Sequence, residues 1–278
     1  MTKSKDWLSA VLRVLVWASA FIAVGVFLLL VGYILIKGVP NLKPELFAWT
    51  YTSDNVSMMP SIINTILMTA LSLLMAAPLG VFAAIYLVEY ARRGNKLVSL
   101  VGVTSETLSG IPSIVYGLFG MLFFLVQLRW GYSLLSGACT MAIMILPLIM
   151  RTTQEALIAV PDSYREGSFG LGAGRLRTVF CAVLPSAVPG ILSGVILAVG
   201  RVVSETAALL YTAGSTAKLP GSVFDSTRTL AMHMYVLSSE GLHINEAYAT
   251  AAVLLIVVVL INACSNFLAG KVENRHAS

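Results

Sequence analysis

At 278 residues, with 58% hydrophobic and only 11% charged side chains and a mean hydropathy of +0.87, the chain carries more apolar surface than one water-soluble core can hide. That excludes an ordinary soluble domain and calls for a bilayer. The net charge of +5 needs no nucleic-acid partner, because the basic residues are distributed as membrane topology requires.

A spanning helix takes about 20 mostly apolar residues, and runs near 10–36, 61–88, 97–127, 132–150, 187–211 and 247–269 meet or approach that length. The expectation is an all-α polytopic protein with six transmembrane helices in a single transmembrane domain, 1–278. The first run is far longer than the roughly 7–15 residues of a cleavable signal core. Its one A-x-A candidate, Ala18-Ser19-Ala20, lies inside the run, so a retained helix is expected. Between the first two spans, residues 38–60 form a short outer loop whose Trp49 and Tyr51 suit an interfacial aromatic belt.

The third run is too long for one straight crossing of a hydrocarbon core about 30 Å thick. Gly110 and Pro112 break it, with Pro112 at the start of a new helix. The simplest expectation is a tilted helix with a proline kink and Glu106 near the cytoplasmic interface; the alternative gives Glu106 a substrate role.

After the fourth span comes a polar island of about 151–186, centred on "REGSFGLGAGRLRTVF". Ser163 and Glu166 have the spacing of a capping box, which starts a short helix. Gly170, Gly172 and Gly174 offer positive φ and should end it within about two turns. A second helix is expected from Arg175 to Leu184, before Pro185 and Pro189. The result is a cytoplasmic helix-turn-helix with Phe169, Leu171 and Phe180 as apolar knobs, a composition that suits a partner site.

Inside the fifth span stand Arg201 and Glu205, each costing roughly 2.5–3.5 kcal/mol at mid-membrane if uncompensated. On a continuous helix Gly190, Gly194, Ala198, Arg201, Ser204, Glu205 and Ala208 share a small-residue face that should point into the bundle. Two readings stay open. The pair is a structural bridge that neutralises itself, or Arg201 offers its donor fork to a passing oxyanion while Glu205 holds it when the site is empty. The outer loop of about 212–245 follows, with an amphipathic patch at "TLAMHMYVL"; His233 in it reads as an interfacial side chain, since no second ligand accompanies it at metal spacing.

Lys3, Lys5, Arg13, Arg92, Arg93, Lys96, Arg151, Arg165, Arg175, Arg177, Lys271 and Arg275 fall on one side of this topology. Lys37, Lys43, Arg129, Lys218 and Arg228 fall on the other. The positive-inside rule makes both termini cytoplasmic. Cys139, Cys181 and Cys264 are an odd set outside the expected outer loops, so neither a disulfide framework nor a metal site is expected. There is no Walker A sequence. Any ATP used must be bound by another chain, and no cofactor is expected on this one.

The spacing of Glu166-Gly167-Ser168, Gly172, nine further residues, Ala182 and Leu184-Pro185 resembles the E-A-A-x3-G-x9-I-x-L-P loop of ABC-importer permeases. Gly167 and Ser168 replace the usual alanines, and Ala182 the isoleucine. The resemblance implies a MetI-like type I ABC importer fold in which Glu166, Gly167, Ser168, Gly172, Leu184 and Pro185 frame the contact with an ATPase subunit. "LSGIPSIVYGLFG" (108–120), "GRVVSETAALLYTAG" (200–214) and "TLAMHMYVLSSEG" (229–241) further resemble the permeases of bacterial phosphate importers. What that implies is phosphate translocation in the bacterial cytoplasmic membrane, with Arg201 and Glu205 on the path. Its partners would be a homologous second permease subunit, an ATPase dimer, an external phosphate-binding protein and membrane lipid. Alternatives are a sulfate or molybdate permease and, in another class, an ion-coupled carrier working alone with Glu205 as proton site. An intramembrane enzyme lacks a nucleophile and base at credible spacing.

Overall fold

The computed structural model describes residues 3–276 except 93 and 95. Arg93 lies outside the described residues, as do the side chains of Lys3, Lys5, Lys271, Arg275 and Cys264. The described chain is all helical: α1 (Lys3–Gly38), α2 (Met59–Ile85), α3 (Lys96–Ser109), α4 (Ser113–Gly120), α5 (Leu134–Ile158), α6 (Asp162–Gly170), α7 (Arg175–Thr178), α8 (Leu184–Ser204), α9 (Ala207–Leu210), α10 (Leu230–Glu240) and α11 (Ile244–His276). Wider π-type turns follow α2 (Tyr86–Tyr90) and α4 (Met121–Gln127) and join α7 to α8 (Val179–Val183). Five helices are long and apolar enough to cross a membrane, and the bent pair α3–α4 brings the number to six.

At the centre, α2, α5 and α8 pack around Met68, Met141, Ile145, Ile149, Ala198 and Leu209. Lipid is as apolar as these side chains, so close packing rather than water exclusion must hold such helices together. Small residues supply the close approach. A Cβ on Gly190 would sit 2.6 Å from that of Ala156, one on Gly80 would sit 3.0 Å from Ile149 Cγ2, and Gly194 leaves no room beside Thr152. The inward side of α8 carries Gly194 and Ala198, as its spacing predicts. Hydroxyls on α2 satisfy themselves locally: Thr65, Thr69 and Ser72 each donate to the carbonyl four residues earlier.

The third run breaks where Gly110 and Pro112 predict, but by far more than a kink. The axes of α3 and α4 differ by 102°, because Pro112 lies outside the new helix as its N-cap rather than in its first turn. The Tyr116 hydroxyl reaches back across the bend to donate to the Leu108 carbonyl at 2.8 Å. That carbonyl, which residue 112 as proline cannot serve, also accepts the Ile111 backbone N–H at 3.1 Å. Glu106 is exposed on α3.

The segments expected to be outer loops, 38–60 and 212–245, fold together into a cap. The Thr65 hydroxyl accepts the Leu230 backbone N–H at 2.8 Å, and the Asn64 amide donates to the Lys218 and Arg228 carbonyls at 3.0 and 3.3 Å. Trp49 is exposed as an interfacial residue would be, but Tyr51 turns inward, edge-on to His233. His233 is itself fully buried, correcting the interfacial placement: α10 packs its Leu230–His233 face inward. Its Nε2 faces the Val56 carbonyl at 3.3 Å, and its Nδ1 faces Arg228 Nη1 at 3.4 Å. Those partners assign the neutral tautomer with the proton on Nε2. Burial first, then the Arg228 charge, pushes its pKa down to about 4, against the opposing hydrogen bond to Val56.

Candidate functional site

Two groups of residues answer to the sequence expectations, one at each end of α8. At the start of α8 lies the α6–α7 hairpin, the segment expected to be a coupling loop. Its first helix, α6, follows Pro161 as N-cap, and no side chain caps it. The capping box expected of Ser163 and Glu166 is absent for a plain reason: the helix begins at Asp162, so Ser163 is already inside it. Of the three glycines only Gly172 has positive φ, +80°. Gly170 ends α6, and Gly174 is an extended N-cap for α7 at φ −75°. The second helix does not stop at Pro185. It widens into the π-type turn Val179–Val183 and runs on as α8, so that Arg175–Ser204 is one continuous apolar span.

Glu166, Gly167 and Gly172 are exposed, whereas Leu184 is half-buried and packs on the cluster of Ile85, Leu157, Val179 and Val183. Pro185 is half-buried beside it. The Ser168 hydroxyl is 2.8 Å from that of Thr178 and ties the two hairpin helices together. Between those helices runs a groove of roughly 650 Å³ lined by Tyr164, Gly167, Ser168, Leu171, Gly172 and Arg177. Leu171 at the tip is 91% exposed, with Phe169 and Phe180 also open. These apolar side chains stand exposed on an otherwise polar hairpin, as the sequence pattern expected.

The sequence reading missed what holds that hairpin. Arg165 on α6 donates through Nη2 to Glu89 Oε1 at 2.7 Å and to the Leu157 carbonyl at 3.0 Å. Nε faces both Glu89 oxygens, and Nη1 reaches the Val160 carbonyl and Asp162 Oδ1 at 2.8 and 3.2 Å. Both side chains are largely buried, 16% and 8% exposed. The Glu89 bond, partly opposed by burial, raises the guanidinium's pKa above its ordinary value. Breaking such a pair from one side costs about 3–5 kcal/mol. Nearby, Arg175 lies 5.6 Å from the Tyr90 ring centroid.

At the far end of α8 the structure corrects the geometry expected of the charged pair. The helix stops at Ser204, Glu205 is extended at φ −75° and ψ 132°, and the four-residue α9 begins at Ala207. Glu205 Oε1 accepts the Ala208 backbone N–H at 3.2 Å, so its carboxylate serves the new helix rather than Arg201. Among the described residues no salt bridge joins the two. Arg201 is half-buried in the last turn of α8, where the helix's own carbonyl end favours a cation. The α9 turn is pressed against α4, since a Cβ on Gly117 would lie 2.9 Å from Ala208 Cα. The expected face is therefore not continuous: Ala198 is buried and Arg201 half-buried on α8, Ser204 is exposed at its end, and Ala208 is buried again past the break against α4.

These features are those of an importer permease. The chain belongs to the family of binding-protein-dependent transport system inner membrane components, whose pattern it matches over residues 76–277; it is a multi-pass transport subunit and not an enzyme. It is 36% identical over 269 residues to the probable ABC transporter permease protein YqgI of Bacillus subtilis, covering 90% of this chain and 89% of that one. It is 33% identical over 230 residues to the phosphate transport system permease protein PstA of Pasteurella multocida, covering 81% of each. Its fold matches an inward-facing structure of the MetNI methionine ABC transporter with a TM-score of 0.60 at 20% identity, over 77% of this chain and 94% of that one.

Proposed function

We propose that the chain is the PstA-type permease half of an ATP-driven phosphate importer in the bacterial cytoplasmic membrane. In this reading Arg201 meets the anion on its way through. The observation that carries it is the interrupted span: a half-buried arginine, unpaired with Glu205, stands beside a helix break in an apolar run. Discontinuous spanning helices beside a charged group mark substrate paths in transporters, and a guanidinium matches phosphate oxygens two at a time. Similarity to proteins named as phosphate transport permeases supports phosphate over other anions.

The coupling hairpin, through Glu166, Gly167, Ser168, Gly172, Leu184 and Pro185, would dock one subunit of an ATPase dimer. ATP is bound there and not on this chain. A homologous second permease subunit would complete the path, and an external phosphate-binding protein would deliver the anion to the outer cap. Alternating access then exposes Arg201 to each side in turn. The test is ATP-dependent uptake by proteoliposomes carrying the assembled complex, with labelled phosphate, sulfate and molybdate offered separately. Phosphate uptake that needs both the ATPase and the binding protein is the expected result. Preference for sulfate or molybdate would reassign the substrate, and uptake without the ATPase would reassign the class.

A further inference from the structure

We propose that Arg165 and Glu89 form a strut that carries motion of the coupling hairpin directly into α2, so that α6 moves with α2 and α5 as one body; the proposal rests on reading the hairpin as the ATPase dock. One planar group joins three elements. Its Nη atoms take the Leu157 and Val160 carbonyls at the end of α5 and the Asp162 carboxylate in the first turn of α6, while Nε and Nη2 take Glu89 at the end of α2. The π-type turn Tyr86–Tyr90 is what brings Glu89 to the buried side, since inserting a wider turn rotates the following side chains about the helix axis.

The rest of α6 is thinly held. None of its residues is fully buried, and added Cβ atoms on Gly167 and Gly170 would meet nothing within 4 Å. Apart from the Arg165 network, its side-chain hydrogen bonds among the described residues reduce to Ser168 with Thr178, which lies within the hairpin itself. By contrast, α2 and α5 meet along their length through Met68, Gly137, Gly80 and Ile149. A force applied at the exposed tip passes along the backbone into α8 through α7 and into α5 through residues 159–161. Across space it has a second route, through Arg165 to Glu89 at the end of α2. Without the second, α5 and α8 would be pulled while α2 lagged. Arg175 over the Tyr90 ring grips the same last turn of α2 from the second hairpin helix and reinforces the second route.

Arg165 and Glu89 touch neither anion nor nucleotide, so they are positioning residues. The experiment uses the assembled complex in nanodiscs, with spin labels at Ser163 on α6 and at exposed Leu79 on α2, in a background lacking the native cysteines. With the strut intact the distance between the labels should stay constant when ATP and vanadate are added. In Glu89→Gln it should become nucleotide-dependent, while the ATPase subunit still co-purifies. Binding-protein-stimulated ATP hydrolysis should fall about tenfold, within the range of single-residue effects on coupling. Arg165→Lys, which keeps a charge but cannot span all three partners, should fall between the two. Glu155→Gln breaks only the exposed Arg151 pair and should behave as wild type.

A constant label distance and stimulation within about twofold of wild type in Glu89→Gln would overturn the strut. Loss of the ATPase subunit from that variant would overturn it too, by making the pair part of the dock. Failure of the wild-type complex to take up phosphate would sink the substrate assignment and leave the label distances untouched.

Discussion

Arg201 and Glu205 sit four positions apart in the sequence, yet the structure separates their roles: Arg201 stands in the last turn of α8, whereas the Glu205 carboxylate accepts the Ala208 N–H beyond the end of that helix. Residues that do not touch should act independently, so the losses in uptake caused by Arg201→Leu and Glu205→Gln should add to within roughly 0.5 kcal/mol in a double-mutant cycle. The measurement is phosphate uptake per inserted complex, and a coupling energy above about 1 kcal/mol would restore the bridge. Arg201→Lys should keep only part of the activity, because it loses the planar fork. Gly172 gives a second residue-level prediction. Its φ of +80° penalises any other residue although space around it is open, so Gly172→Val should cost about 1–3 kcal/mol and weaken ATPase co-purification. Gly174→Ala, at an ordinary φ, should not. Wild-type co-purification by Gly172→Val would mean that the turn is not part of the dock. The charges of the fifth span and the special turn were legible because each breaks a local pattern. Arg165 was not, because its partner Glu89 lies 76 positions away and nothing in either neighbourhood announces the pairing.

Elements that carry punctuation in the sequence were found and those made by side-chain competition were not. Gly110 and Pro112 announce the break between α3 and α4. No glycine or proline marks the break between α8 and α9, where Glu205 turns its carboxylate onto the backbone ahead. The outer cap is a similar case: its pattern showed an amphipathic α10 but not that His233 would be sealed beneath it. That burial yields a pH prediction. In the fold His233 stays neutral down to about pH 4, whereas in the unfolded chain it takes a proton near 6.5. The cap is therefore at full stability above about pH 6.5 and loses it as pH falls through the window to about 4, by on the order of 3 kcal/mol at most. Amide protection factors in residues 50–57 and 230–240, that is, exchange rates corrected for their intrinsic pH dependence, should fall between pH 7 and pH 5. In His233→Gln the same amides should show little of that pH dependence, and an unchanged acid response there would assign it to another group.

For the whole molecule α2 acts as a ruler. It is hydrogen-bonded to the cap through Asn64 and Thr65, and the π-type turn that continues it meets the α6–α7 hairpin through Glu89. Asn64 and Glu89 are 25 residues apart, or about 37 Å along a helix, more than the roughly 30 Å of a hydrocarbon core. Cap and hairpin must then lie on opposite sides of the bilayer. Which side is which follows from charge. The hairpin end holds Arg92, Lys96, Arg151, Arg165, Arg175 and Arg177, while the cap end holds fewer basic groups, and one of them, Arg228, is buried against Tyr51 and the Ser215 carbonyl. The hairpin end is accordingly predicted to be cytoplasmic. Single cysteines at Ser163 and at Ser215, both exposed, on a background lacking Cys139, Cys181 and Cys264, would be challenged in intact cells with a membrane-impermeant maleimide. Position 215 should react at once and position 163 only after the membrane is opened. Equal reactivity from outside would break the two-sided arrangement itself, because the α2 ruler forbids it. Inverted reactivity would keep the fold but turn the molecule over, and would remove the hairpin from reach of any cytoplasmic ATPase.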